Sequence, residues 1–215
     1  MGQAGANYEG QRPVSRTYLV TKRAIDIALS SLMLVLLSPV YLLVILLIKL
    51  DSEGPVFIRQ QRVGRDGVTF QMLKFRSMCA QAELMRSQLQ HLNEMSGPVF
   101  KVKKDPRVTR LGKYLRKYSV DELPQLVNVL RGEMSLVGPR PPLPREVELY
   151  EPWQLHRLDV EPGLTCLWQV NGRNHCDFDA WVRLDLEYIE RRSLWLDLKI
   201  LAKTIPAVVS GKGAY

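Results

Sequence analysis

The chain has 215 residues, 46% of them hydrophobic, which is enough for one domain with a buried core. Its 30 Lys and Arg residues outnumber 22 Asp and Glu, and the formal net charge of +8 favours anionic partners: phosphorylated substrates, lipid head groups or nucleic acid. The three cysteines are scattered and share no metal-ligand spacing with the three histidines, which argues against a zinc site and suits a reducing compartment.

A polar tail precedes a long apolar segment near the N-terminus. We expect a flexible tail over residues 1–21 and a membrane helix over residues 22–50, because positions 27–48 carry no charge and exceed the ~20 residues that cross a bilayer. Ser38-Pro39 lies in the middle, where the proline bends a helix and the serine hydroxyl can satisfy the carbonyl of Val35. Basic residues flank both ends. These features favour a re-entrant helix over its two alternatives, a true span and a buried core helix.

A small β-hairpin is predicted next. Residues 56–59 and 69–73 are rich in strand-forming side chains, and the Asp-Gly turn signal at 64–67 separates them. The segment 74–78 then alternates cationic and apolar residues. By itself it is either a strand end with solvated charges or part of a phosphate-binding wall.

Helical periodicity follows in three places. Residues 78–95 repeat apolar side chains every three or four positions, with a methionine stripe typical of a core or an interface. Residues 110–118 form a basic amphipathic helix, suited to a membrane surface or a phosphate-binding wall, with a solvated charged face as the alternative. Residues 181–209 predict a long interfacial helix that Pro206 bends or ends.

Two adjacent carboxylates, Asp121 and Glu122, follow the basic helix. Pro124 is tolerated only in the first turn of a helix, so the next helix should start near Ser119 to Asp121 and stop at Gly132. The spacing of Ser119 and Glu122 matches a capping box. A carboxylate at a helix N-terminus also stays ionised, as a nucleophile or a metal ligand must, and the same end attracts phosphate. The capping and chemical interpretations are compatible.

Two loops complete the candidate residues. Residues 135–142 contain one glycine and three prolines around Arg140, and such a stiff loop could hold the guanidinium ready for phosphate or could simply be a linker. Gln169, Asn171 and Arg173 lie in a turn-rich loop that could contact a nucleobase or sugar, although such loops usually only connect elements.

Taken in order, these motifs resemble those of the bacterial sugar transferase family, whose members are monotopic phosphoglycosyl transferases acting on polyprenyl phosphate. The resemblance runs from about residue 22 to residue 215 and rests on the Ser-Pro-broken apolar helix together with Lys74-Phe75-Arg76-Ser77-Met78, Asp105-Pro106-Arg107, Asp121-Glu122-Leu123-Pro124-Gln125, Ser135 to Pro141, Pro162-Gly163, Gln169-Val170-Asn171-Gly172-Arg173 and Leu196-Asp197-Leu198-Lys199.

For the fold, the resemblance implies a mainly α protein with a small β-hairpin, of the α+β class. It implies a monotopic membrane protein with a re-entrant helix broken at Ser38-Pro39, interfacial amphipathic helices, and a catalytic domain over residues 51–215 at the cytoplasmic face of the bacterial inner membrane. A membrane-associated homodimer is compatible with it.

For the activity, the resemblance implies transfer of a sugar-1-phosphate from a UDP-sugar to undecaprenyl phosphate, with release of UMP, at the start of exopolysaccharide, capsule or O-antigen assembly. Asp121 would attack the sugar-bearing phosphate to form a covalent aspartyl-phosphosugar, and Mg²⁺ would bind at Asp121 and Glu122. The sugar is expected to be glucose or galactose. The phosphate contacts are assigned to the basic residues Lys74, Arg76, Arg116 and Arg140. Carboxylate nucleophiles, cationic side chains and Mg²⁺ suit phosphoryl transfer chemically.

Two other functions remain as alternatives. A membrane-anchored basic module could bind nucleic acid or anionic lipid without catalysis, but the acidic dyad would repel phosphate unless a metal were present, so no nucleic-acid partner is expected. A transferase could also work without a covalent step, with Asp121 or Glu122 as the base for direct attack. The role of Glu122, in capping, metal support or proton handling, stays open at this stage.

Overall fold

The computed structural model describes residues 14–171 and 177–211 and has a mainly helical fold with a small antiparallel hairpin, as predicted. The helices and strands are α1 (Arg16–Leu36), α2 (Ser38–Asp51), β1 (Phe57–Val63), β2 (Thr69–Phe75), α3 (Arg110–Lys117), α4 (Gln125–Arg131), β3 (Ser135–Val137), α5 (Pro144–Val147), β4 (Gly163–Thr165), α6 (Leu167–Val170), α7 (Phe178–Arg191) and α8 (Leu194–Ser210). Short 3-10 helices occur at Arg65–Gly67, Ser87–Leu92, Val120–Glu122 and Pro152–Leu158.

The N-terminal apolar segment is a pair of helices bent by 60°. The bend falls at the predicted Ser38-Pro39 step, where the Ser38 hydroxyl donates to the carbonyl of Val35 at 2.8 Å. Helix α1 begins at Arg16, within the segment expected to be a tail, because Ser15 accepts a capping hydrogen bond from the Thr17 N–H. Within the described ranges no single helix has both the length and the apolar character to cross a membrane, whereas the bent pair does when taken together.

The hairpin is longer than predicted, with β1 and β2 pairing over their full lengths. Its turn uses positive φ at Asp66 and Gly67, as the Asp-Gly signal requires. The outer edge of β2 is covered by a side chain: buried Asn128 donates to the carbonyl of Gln71 at 2.8 Å and accepts from the N–H of Leu73 at 3.0 Å. Asn128 thus takes the place of a third strand and satisfies an edge that would otherwise be open.

Two helix predictions are wrong in detail. Residues 78–95 form turns and a short 3-10 helix, because their apolar stripe is nowhere fully buried: Leu92 is exposed, and Met85 and Leu89 are only half-buried. An amphipathic helix needs a surface that buries its apolar face. The predicted helix over 181–209 is two helices. Ser193 caps the second one by accepting from the N–H of Leu196, and Pro206 lies inside α8 without ending it.

The core joins the N-terminal helices to the rest of the chain. One buried cluster packs α4 against β2, β3, α7 and α8, around Leu126, Val129 and Ile200. A second cluster packs α2 against the hairpin and α3, around Ile48, Phe75 and Leu115. Strand β2 contributes to both clusters and the segment between α3 and α4 to the second, and the predicted site residues Lys74, Asp121 and Glu122 lie in these two segments.

Candidate active site

A cavity of about 590 Å³ opens between the hairpin, the 3-10 helix at Val120–Glu122 and the loop around Arg140. Most of the predicted site residues line it, namely Lys74, Arg76, Arg116, Asp121, Glu122, Arg140 and Gln169. Asn171 does not: its exposed side chain lies 3.4 Å from the Lys203 amine. Arg173 lies outside the described residues. The sequence therefore identified residues that are distant along the chain and adjacent in space.

The capping-box prediction for Ser119 and Glu122 is wrong. Ser119 adopts a left-handed conformation with φ 54° and makes no side-chain cap hydrogen bond, and the 3-10 helix at Val120–Glu122 precedes α4. Helix α4 begins at Gln125, after Pro124, and ends as predicted at Gly132, which has φ 82°. The Glu122 side chain does not cap a helix and instead contacts two cations of the cavity.

Glu122 is the charge partner of two of those cations. Its Oε1 atom accepts from the Lys74 amine at 2.9 Å and from an Arg140 N–H at 3.3 Å. Burial opposes its ionisation, but Lys74 and Arg140 outweigh burial and hold the pKa of Glu122 well below its usual range. A carboxyl group with so low a pKa is a fixed anion and a poor proton carrier near neutral pH. This geometry favours none of the three roles left open for Glu122, but a fourth one, that of an electrostatic anchor for Lys74 and Arg140.

Asp121 has the opposite character although it is the adjacent residue. It is buried, and this burial, together with the charge of Glu122, raises its pKa, while Lys74, Arg116 and Arg140 act to lower it. The result is a desolvated carboxylate with cations around it. Such a group can attack an electron-poor phosphorus atom once a substrate brings one into the cavity.

The loop that carries Arg140 is held by hydrogen bonds along its backbone. Five of its carbonyls accept hydrogen bonds from other parts of the chain. Side chains donate to three of them: Lys22 and Tyr188 to the carbonyl of Val137, Arg157 to that of Arg140 and Arg62 to that of Pro141. Backbone N–H groups donate to the other two: that of Gly163 to the carbonyl of Pro139 and that of Val63 to the carbonyl of Pro142. Gly138 and Gly163 pack so closely that a Cβ on Gly163 would lie 2.0 Å from the nitrogen of Gly138. The stiffness predicted from its prolines is thus reinforced by tertiary contacts.

Arg76 lines the cavity but points elsewhere. Its guanidinium donates to the carbonyls of Pro55 at 2.6 Å and Ser52 at 2.5 Å, with a longer contact to Ile48 at 3.3 Å. Strand β2 ends at Phe75, so Arg76 leaves the alternation of the strand and turns toward the end of α2. These bonds do not support the predicted phosphate-binding role and make Arg76 a clamp between α2 and β1.

Sequence reasoning missed a buried ion pair in the wall of the cavity. Arg157 lies 2.5 Å from Asp185 and also donates to the hydroxyl of Tyr150 and to the carbonyl of Arg140. It fixes the backbone of the loop that presents Arg140. An isolated Arg and Asp separated by 28 positions give no local signal, so only the fold reveals the pair.

The acidic residues of the cavity constrain how a metal could bind. Within residues 14–171 and 177–211, no three His, Cys, Asp or Glu side chains form a group suited to a metal ion. Mg²⁺ usually needs only one or two carboxylates beside substrate phosphates. Because Glu122 is engaged with Lys74 and Arg140, Asp121 is the dyad member that could contribute. A single carboxylate fits a Mg²⁺ ion that is bound mainly by the diphosphate of a substrate better than an ion that is bound by protein side chains alone.

The chain matches the family model described as bacterial sugar transferase over residues 17–211. It is 45% identical over 199 residues to the galactosyl transferase CpsE of Streptococcus agalactiae, covering 92% of this chain and 44% of that one. It is 42% identical over 200 residues to the exopolysaccharide production protein ExoY of Rhizobium meliloti, with coverage of 91% and 88%. It is 41% identical over 203 residues to the UDP-glucose:undecaprenyl-phosphate glucose-1-phosphate transferase of Caulobacter vibrioides, with coverage of 90% and 72%. The chain thus spans under half of the first relative and most of the other two.

Proposed function

The chain belongs to the bacterial sugar transferase family, and on this premise we propose that it transfers a hexose-1-phosphate from a UDP-hexose to undecaprenyl phosphate and releases UMP. The names of the relatives support this donor and acceptor, one naming a galactosyl transferase and one a glucose-1-phosphate transferase. Glucose and galactose are therefore the sugars to test. The product would start exopolysaccharide, capsule or O-antigen assembly.

The observation that carries the proposal is the buried Asp121 beside a charge-fixed Glu122 and three cations. In the first step a carboxylate oxygen of Asp121 attacks the phosphorus that bears the hexose. The bond from that phosphorus to the UMP oxygen breaks, and UMP leaves with the bonding electrons. In the second step an oxygen of undecaprenyl phosphate attacks the same phosphorus, and the carboxylate of Asp121 departs.

Lys74, Arg116 and Arg140 would stabilise the charge that develops on the phosphoryl oxygens. Lys74 and Arg140 are already fixed on Glu122, so little reorganisation is needed when the substrate arrives. Mg²⁺ bound by the diphosphate and Asp121 would neutralise further oxygen charge and favour the departure of UMP. Gln169 lines the same cavity and is the remaining described candidate for a contact with the nucleotide or sugar.

The bent pair α1–α2 supports a location at the cytoplasmic face of the bacterial inner membrane, with the pair entering one leaflet. Helix α2 leaves several leucines exposed along its length, including Leu42, Leu46 and Leu50. A lipid surface would cover them, and the 60° bend at Leu37 would let both ends stay on one side. A membrane-associated homodimer stays a prediction.

The test measures UMP release from UDP-glucose and UDP-galactose with Mg²⁺, in the presence and absence of undecaprenyl phosphate. Asp121→Asn should reduce turnover about 10³-fold or more, because the nucleophile is lost. Asp66→Asn, at the exposed hairpin turn, is the matched control and should be unaffected. Incubation without acceptor should leave labelled phosphosugar on the wild-type protein.

The outcomes separate the alternatives. Turnover by Asp121→Asn would refute the nucleophile, and turnover without a trapped phosphosugar would favour direct attack. Absence of UMP with both sugars, together with metal-independent and salt-sensitive binding of nucleic acid, would favour the basic binding module.

A further inference from the structure

Strand β1 places an apolar side chain beside the cations of the cavity. Ile58 pairs with Lys74 across the hairpin, so the two side chains lie on the same face of the sheet. Ile58 and Pro55 both line the cavity, and Ile58 is 37% exposed. Phosphoryl transfer itself needs no apolar surface next to Lys74. Such a surface has a role if a hydrophobic group of a ligand binds there.

The position of this apolar edge relative to α2 is fixed. Arg76 bonds the carbonyls of Pro55 and Ser52, which links the start of β1 to the end of α2. Gly54 permits this turn: it has φ +114°, and a Cβ there would lie 2.7 Å from an Arg76 nitrogen. The last turns of α2 expose Leu46 and Leu50, the latter at 75%. Exposed apolar side chains therefore lie at the end of α2 and at the mouth of the cavity, on the two sides of a polar turn at residues 51–54 that Arg76 holds in place.

We propose that Ile58 and Pro55 form the entrance for the hydrocarbon chain of the acceptor, an isoprenoid phosphate, and hold its first isoprene unit beside Lys74. This inference rests on the proposed function. The phosphate of such an acceptor complements the charge of Lys74, and its hydrocarbon must leave the cavity along an apolar surface. Other parts of the cavity carry apolar side chains such as Phe100 and Leu143 as well, but they lie among Glu83, Arg86 and Arg145, and hydrocarbon there would displace water from charged groups at a cost. The edge at Ile58 is the part of the cavity wall that Arg76 links directly to the end of α2, where Leu50 is exposed.

The experiment compares Ile58→Thr with Val68→Thr. Both changes replace a β-branched apolar residue by threonine in the hairpin, but Val68 is 68% exposed and belongs to the turn between β1 and β2. Steady-state rates of UMP release are measured with UDP-hexose and undecaprenyl phosphate at constant detergent. Ile58→Thr should raise the KM for undecaprenyl phosphate about tenfold and leave the KM for UDP-hexose within about twofold. Val68→Thr should change neither.

Two further arms keep the result interpretable. Ile58→Val retains the apolar surface, so its KM for undecaprenyl phosphate should stay close to the wild-type value. This holds even if threonine at position 58 alters the strand. Farnesyl phosphate should show the same penalty with Ile58→Thr, because the contact is with the unit next to the phosphate. Three results for Ile58→Thr would contradict the proposed entrance: an unchanged KM for the acceptor, an equal rise in KM for both substrates, or a rise in KM for undecaprenyl phosphate but not for farnesyl phosphate. A wild-type protein that releases no UMP would instead overturn the proposed function.

Discussion

At the scale of single residues, the two carboxylates of the dyad differ in what surrounds them. Glu122 is bonded to Lys74 and Arg140, which lowers its pKa, whereas burial raises the pKa of Asp121. Two neighbouring acids with pKa values moved in opposite directions are typical of a division of roles. In the proposed mechanism, Glu122 holds the cations and Asp121 attacks the phosphorus.

This division predicts the pH dependence of activity. Asp121 must be ionised to attack phosphorus, and its raised pKa places the acid limb of kcat/KM above the ordinary aspartate value of about 3.9. Lys74 acts to lower the pKa of Asp121, so Lys74→Met should move this limb to higher pH as well as reduce the rate. The measurement is a pH profile of UMP release for the wild type and the residual activity of Lys74→Met. Lys104→Met, at an exposed position, is the control. A limb that stays in place would contradict the electrostatic coupling.

The sequence indicated most of the residues that line the candidate site, but not how they are paired. Asp121, Glu122 and Arg140 could be selected because acids beside bases and an arginine between prolines are local patterns. The partners of Glu122 come from a strand 48 positions away and a loop 18 positions away. Likewise, nothing local distinguished Lys74 from Arg76, although one faces the dyad and the other clamps α2.

At the scale of elements, Arg76 holds the junction between α2 and β1. Arg76→Met should lower the free energy of unfolding by about 2–4 kcal/mol, because the carbonyls of Pro55 and Ser52 lose the charged donor that the buried Arg76 side chain supplies. Thermal or denaturant unfolding would measure this loss. Lys74→Met is the matched comparison. Glu122 keeps Arg140 as a partner, so this change should lower stability less than Arg76→Met does, and it should reduce turnover more. Equal effects of the two changes on stability and turnover would mean that the clamp and the site are not separate.

Elements with local signals were predictable and elements that depend on distant packing were not. The hairpin has an Asp-Gly turn and alternating strands, and its turn is where the sequence placed it. The break at Ser38-Pro39 also follows from local chemistry. The parallel pair β3–β4 joins two three-residue strands that are far apart in the chain, and no short pattern announces it. The stripe over 78–95 has the right period, but none of its side chains is fully buried against the core.

At the scale of the whole molecule, one buried carboxylate joins the first helix to the last. Asp197 on α8 accepts from Tyr18 at 3.0 Å and Lys22 at 3.1 Å on α1, and from Tyr188 at 2.7 Å on α7. Lys22 and Tyr188 also donate to the carbonyl of Val137, next to the loop of Arg140. The N-terminal helix is therefore attached to the same loop that presents a cation to the cavity.

A double-mutant cycle tests this attachment. Asp197→Asn should destabilise the fold by about 3–5 kcal/mol, because Lys22 is left as a mostly buried cation without its anion. Lys22→Met combined with Asp197→Asn should cost less than the sum of the single changes. The readout is the free energy of unfolding of the four proteins. Lys199→Met, exposed on the same helix as Asp197, should be additive with Asp197→Asn. If the effects of Lys22→Met and Asp197→Asn on the free energy of unfolding were additive, the ion pair would contribute no coupling energy.

The attachment of α1 also sets an order of events during synthesis. Lys22 and Asp197 are 175 positions apart, so at about 5–20 residues per second the ribosome needs roughly 10 to 35 s to make the second after the first. During that interval α1 and α2 are complete, but the carboxylate that secures α1 does not yet exist. The nascent chain thus displays its most apolar helices well before its own fold can retain them. That interval is when a bilayer, or another nascent chain, competes for the pair most effectively.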